Sequence, residues 1–119
     1  MIDSDKAHDM IKSVYIDGVA EINGREYKFS KMTHKQRRKV FAFYTSIISK
    51  VKRKDFSFLD SDSFESVEAV INNVVSFDDS LLSRIDETHW NKHPNDYVPF
   101  ITTALAVISY PLLQGRDTA

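Results

Sequence analysis

Cysteine is absent from this chain, and glycine and proline occur only three times each in 119 residues. Without sulfur there can be no disulfide framework, thiolate zinc site, iron–sulfur cluster or cysteine nucleophile. Glycines at 18, 24 and 115 alone leave no place to write a phosphate-cradling P-loop, a dinucleotide fingerprint or the Gly-flanked serine elbow of hydrolases. Long apolar runs are missing as well. The uncharged stretch 97–114 falls short of the roughly 20 residues a membrane span needs and carries Pro99, Thr102, Thr103, Ser109 and Pro111. Asp3, Asp5, Lys6 and Asp9 interrupt the region where a secretory signal would need its apolar core. The expectation is one folded cytoplasmic domain over 1–119, with no membrane span, metal, cofactor or catalytic residues.

What is present is a strong internal asymmetry of charge. The net charge is -1, yet residues 31–54 hold nine Lys or Arg and no acid, whereas 55–96 hold ten acids against Arg84 and Lys92. Such blocks either neutralise one another inside a fold or steer a partner of opposite sign. Internal pairing is the favoured expectation.

Residues 1–13 show no sustained period and read as a loose or partly helical arm, and 114–119 read as a disordered tail. Asn23-Gly24 between alternating runs predicts a hairpin with strands near 15–22 and 25–30, because both turn positions need positive φ. That register pairs Ile22 with Arg25 and Ala20 with Tyr27, so Ile16, Ala20, Ile22, Tyr27 and Phe29 share one face. Gly18 fits a bulge or a strand start. Thr33 and Gln36 form a capping-box spacing ahead of a helix over 34–53, whose stripe is Val40, Tyr44, Ile47 and Val51. Its last turn of cations suits the helix dipole, while Lys35, Arg37, Arg38 and Lys39 oppose it and need another explanation.

Asp62 and Glu65 suggest a second capping box and a helix over 62–74, followed by a turn at 77–79 and a short helix over 80–85 capped by Ser80. Residues 86–96 read as a loop or single helical turn carrying Trp90. Asn95 or Asp96 then caps a last helix over 96–110, ended by Pro111 and apolar nearly all round, as suits a central core helix or a surface covered by a partner. The fold class expected is α+β, mainly α: one N-terminal β-hairpin packed on a bundle of three to four helices, with an all-α fold carrying a peripheral hairpin as the alternative.

His89 and His93 stand four apart, the spacing of two ligands on one helical face, but only two of four zinc ligands are visible and Pro94 interrupts the helix. Surface or capping roles are the expectation for both. The adjacent acids 78–79 and 86–87 read as solvated caps. The basic patch 35–39, with Lys50, Lys52, Arg53 and Lys54, admits a nucleic-acid-binding regulator built on helix 34–54. The helix-turn-helix context is missing, however, and nucleic acid is the lesser reading.

INGREYKF as a hairpin, MTHKQRRKVFAFYTSI as the following helix, an acidic middle and an apolar terminal helix together resemble the small phage tail assembly chaperones, over about residues 15–112 in order of elements. The resemblance implies a non-enzymatic protein of the bacterial host cytoplasm. It implies an apolar groove that binds helical segments of the tape measure protein, or another tail component, during tail morphogenesis, with a homo-oligomer also compatible. On this resemblance Lys35, Arg38, Phe41 and Tyr44 are the candidate partner-binding residues.

Overall fold

In the computed structural model the described residues are 2–77, 85 and 87–117. Their order is α1 (Ile2–Asp17), β1 (Val19–Ile22), β2 (Arg25–Phe29), α2 (His34–Lys52), a 3-10 turn (Ser57–Asp60), α3 (Asp62–Val74), β3 (Val75–Phe77), α4 (Glu87–Lys92), a second 3-10 turn (Pro94–Asp96) and α5 (Tyr97–Asp117). The fold is α+β and mainly α, as expected. Of the turn expected at 77–79, Phe77 instead ends β3, while 78–79 and the helix over 80–85, Ile85 apart, lie outside the described residues.

The hairpin takes the expected register, Ala20 opposite Tyr27 and Ile22 opposite Arg25. Asn23 and Gly24 both have positive φ, 52° and 83°, so the two-residue turn follows the right-handed twist of its strands. Its start differs from the expectation. Residues 15–17 end α1 instead of opening a strand, and Gly18, at φ 73°, donates to the Val14 carbonyl at 2.8 Å before the chain reverses into β1. Ile16 is therefore 67% exposed on α1 and does not join the buried face of the hairpin.

The arm expected to be loose or partly helical is helical, and α1 docks on α5. Val14 of α1, Ala20 of β1 and Val107 of α5 form a small cluster of their own, with Ile11 and Phe29 against it. Two apolar anchors one turn apart are too few to register as a period, and it is the apolar flank of α5 that makes the docking favourable.

A third strand, unforeseen in the sequence, completes the sheet in the order β1-β2-β3. Val75 pairs antiparallel with Phe29, and Phe77 with Tyr27. Three residues are too short to show a period of two, and β3 exists because β2 offers it an open edge.

Thr33 caps α2 with the full box: its hydroxyl accepts from the Gln36 N–H at 3.1 Å, and the Gln36 side chain accepts from the Thr33 N–H at 2.8 Å. Thr33→Ala is expected to lower stability by about 1 kcal/mol, read as a lower urea midpoint at unchanged slope, with Thr33→Ser retaining most of it. The cap of α3 is Ser61, one residue before the expected Asp62; its hydroxyl accepts from the Phe64 N–H at 3.2 Å.

The main core joins the sheet (Ile22, Tyr27), α2 (Val40, Ile47), α3 (Phe64, Val67, Ile71, Val74) and α5 (Phe100, Ile101, Ala104, Leu105, Ile108). Each large apolar side chain among them contributes roughly 1.5–3 kcal/mol by leaving water. The all-round apolarity of α5 is thereby resolved in favour of the core. By length and composition the helical stretch Pro94–Leu113 could cross a bilayer, yet half of it is buried within the fold.

Pro111 does not end α5, which continues to Asp117, so residues 114–117 of the expected disordered tail are helical and 118–119 lie outside the described residues. The proline removes the N–H that would meet the Val107 carbonyl. Arg37 reaches across from α2 and donates from Nη1 to the adjacent Ile108 carbonyl at 2.7 Å, while its guanidinium lies 5.7 Å from the Tyr15 ring centroid. One of the four cations at the unfavourable end of α2 thus holds the proline-containing turn of α5.

Candidate functional site

Lys35, Arg38, Phe41 and Tyr44 are spaced by three, and each step falls about 60° short of a full helical turn. From Lys35 to Tyr44 the direction therefore swings by about 180° around α2. Lys35 and Arg38 are exposed, Phe41 is half-buried, and Tyr44 rests against the main core, where burial pushes its phenol pKa up. The structure does not gather these four into one surface.

The neighbouring face of α2 does form a surface. Lys39, Ala42, Phe43, Ser46, Ile47 and Lys50 follow the i, i+3, i+4, i+7, i+8, i+11 pattern of a single helical stripe. They make one wall of a groove of about 720 Å³; the other wall is Ser57, Phe58 and Ser61 of the first 3-10 turn region and Ser63, Ser66 and Val67 of α3. Its floor is aromatic. Phe43 and Phe58 stand 5.8 Å apart by ring centroid, and both lean on the fully buried Phe64, at 5.8 and 5.6 Å. The sequence stripe mixed these positions with the core-facing ones, because a helix carrying apolar residues over a wide arc does not declare which edge a neighbour leaves open.

A second groove, of about 710 Å³, lies on the other side of α3 and is acidic, lined by Glu65, Glu68 and Glu87 with Asn72, Trp90, Pro94 and Tyr97. Tyr97 donates its hydroxyl to Glu68 at 2.6 Å, and burial together with that bond raises its pKa. The helix α3 thus separates a basic-rimmed groove from an acidic one.

The expected neutralisation of the two charge blocks does not occur among the described residues. No cation of 31–54 forms a salt bridge with a described acid of 55–96; the ion pair present joins Arg25 to Asp96 at 2.6 Å. Lys50 and Arg53 act on Asp55 only at longer range, and that carboxyl is held below its usual pKa first by its hydrogen bonds to Ser57. The cations crowd the ends of α2, and Glu65 and Glu68 of α3 turn toward the far groove.

Asp96 does not cap α5. It is fully buried and accepts four hydrogen bonds: Asn23 Nδ2 (2.7 Å) and Arg25 Nη2 (3.1 Å) on Oδ1, Arg25 Nε (2.6 Å) and Tyr27 OH (2.8 Å) on Oδ2. The Arg25 guanidinium, first of all, holds this carboxyl well below its usual pKa. Burial and the same carboxylate push the Tyr27 phenol up. Since Tyr27 gives its one proton to an ionised carboxylate, the His89 Nε2 that stands 2.8 Å from the same hydroxyl must be the N–H donor. Tyr27 and Asp96 have no exposed surface, and this polar chain fastens the hairpin turn to the connection between α4 and α5. The signal for it lay in the hairpin register, which sets Arg25 opposite Ile22 and close to Tyr27, where a guanidinium turned inward requires a carboxylate.

His89 and His93 lie with ring centroids 5.0 Å apart. Among the described residues no three His, Asp or Glu side chains converge in a way that could hold a metal ion. Of the acids expected as solvated caps, Glu87 is exposed on α4, whereas Asp78, Asp79 and Asp86 lie outside the described residues. Comparison of the chain with protein-family models, with curated proteins and with solved structures finds no match.

Proposed function

We propose that this protein is a non-enzymatic assembly chaperone of the phage tail type, which holds an amphipathic helical segment of a tape measure protein in the groove between α2 and α3, in the cytoplasm of the bacterial host. The observation that carries the reading is the groove itself: a single helical stripe of α2 facing α3 across an aromatic floor, with small side chains at Ala42, Ser46, Ser63 and Ser66 along its walls. Small walls let a third helix approach closely, and the half-buried Phe43, seated against the buried Phe58, gives it apolar surface to cover. The order of hairpin, basic-ended helix, acidic helix and apolar terminal helix supports the same reading by its resemblance to that family.

Co-expression with a tape measure chain tests it. The wild-type protein is expected to keep that chain in the soluble fraction and to co-purify with it. Ala42→Trp, at an exposed position on the groove wall, is expected to abolish both while leaving the far-UV spectrum and melting temperature unchanged. Equal solubilisation by wild type and Ala42→Trp would remove the groove from the function.

A second reading has its own observation. Lys35, Arg38, Lys39, Lys52, Arg53 and Lys54 are exposed and free of ion pairs with described acids. A nucleic-acid-binding regulator using these cations would bind duplex DNA with log K falling by about 0.9 per phosphate contact for each tenfold rise in salt. The commitment of Arg37 to the Ile108 carbonyl takes one cation out of that surface.

A further inference from the structure

The groove between α2 and α3 carries a spacing that specifies its occupant more closely than apolarity does. Lys39 and Lys50 line its two ends, eleven residues apart on α2. Eleven residues are three turns plus about 20°, so the two ammonium groups leave from one face and their stems start roughly 16 Å apart along the axis. No Asp or Glu is among the twelve residues that line the groove, and five are serines. Neither lysine forms a salt bridge with a described acid, and Asp55, which feels Lys50 at longer range, is already engaged by Ser57. Between the lysines the floor is apolar, with Phe43 and Ile47 on α2 facing Phe58 and Val67.

We infer that the groove selects a client helix by two carboxylates eleven residues apart, one meeting Lys39 and one meeting Lys50, with apolar residues at the fourth and seventh positions after the first acid lying over Phe43 and the small side chain of Ser46. This inference rests on the chaperone reading and names the client's chemistry. The i, i+11 spacing places both acids of the client on one face, as it does the lysines, so two helices side by side bring both pairs together at once. A pair of like lysines is indifferent to chain direction, and a parallel or antiparallel client satisfies it equally. The apolar floor supplies affinity, and the charges set the register along the groove and reject clients with cations there.

Fluorescence anisotropy with synthetic helical peptides of one apolar stripe tests it, using the full-length protein at about 50 mM salt, where exposed pairs are weakly screened. The peptides carry Glu at i and i+11, Glu at i and i+5 (about 140° apart), Gln at i and i+11, or Lys at i and i+11. The first is expected to bind about 5- to 20-fold more tightly than the Gln peptide, from two exposed ion pairs, with the advantage fading by about 0.5 M salt. The Glu peptide with the i, i+5 spacing can satisfy one lysine at a time and is expected to fall between the two. The doubly reversed variant Lys39→Glu/Lys50→Glu is expected to invert the order and prefer the Lys peptide.

If the Gln peptide binds as tightly as the i, i+11 Glu peptide, the charge rule is overturned while the groove remains a helix site. If none of the peptides binds, the chaperone reading falls with it. If a DNA duplex displaces the Glu peptide and its own binding is lost in the reversed variant, the lysines serve phosphates and the inference is overturned in favour of nucleic acid.

Discussion

Asp96→Ala is expected to lower the stability of this protein by about 3–4 kcal/mol, a melting temperature roughly 10–15 °C lower. The carboxylate is fully buried and accepts from Asn23, Arg25 and Tyr27, so its removal strands a buried phenol and takes the partner from an inward-turned guanidinium. The loss also unfastens the hairpin turn from the segment leading into α5, two parts of the chain that Arg25 and Asp96 join across a separation of 71 residues. Asp96→Asn separates charge from shape through its pH dependence. The native pKa of Asp96 is depressed, above all by the hydrogen bond from Arg25, so the folded state takes up this proton less readily than the unfolded chain. Its contribution is complete only well above about pH 4, the range of an unfolded aspartate, and is lost progressively as pH falls through that range to the lower native value. The stability gap between wild type and Asp96→Asn should therefore be widest at neutral pH and narrow steadily from about pH 5 to about pH 2. A gap constant over that interval would show that Asp96 acts by shape alone.

Phe64→Ala is expected to cost about 3–5 kcal/mol, a large share of the roughly 5–15 kcal/mol by which a domain of this size is stable. Phe64 has no exposed surface and is the common support of Phe43 and Phe58. Its removal leaves a cavity where α2, the first 3-10 turn and α3 meet, and the lost aromatic pairs add to the cost of the lost burial. The same change should weaken peptide binding in the groove, whose floor those two rings form, whereas Phe64→Leu should recover most of the stability and less of the binding. Equilibrium urea unfolding of the two variants reads the first effect and anisotropy the second. A loss under about 1 kcal/mol would mean that the site collapses without strain and that the floor does not depend on Phe64.

Much of the framework is legible in local chemistry. Asn23-Gly24 sets the turn, and the alternation on either side sets the register, because positive φ and a period of two are properties of neighbouring residues. Thr33 with Gln36 starts α2, and the apolar spacing of Phe64, Val67, Ile71 and Val74 marks α3. The misses share a different cause. The docking of α1 by Val14 and the pairing of β3 with β2 each depend on a partner distant in the chain, α5 and β2 respectively, and the turn of α5 at Pro111 meets Arg37 of α2. Local spacing carries no trace of such partners.

The candidate site divides along the same line. The absence of cysteine excluded thiol chemistry, and the positions of the three glycines left no phosphate loop or Gly-flanked serine elbow to be written. The sequence also determined the charge blocks and the helices that bear them. Only the tertiary structure decided that the blocks stay apart among the described residues, that Asp96 is a buried anchor, and that the stripe of α2 from Lys39 to Lys50 lines a groove while Lys35, Arg38, Phe41 and Tyr44 spread around the helix. The physical reason is that a helix fixes which residues share a face, through its 3.6-residue period, while the packing of its neighbours fixes which of those faces meets water.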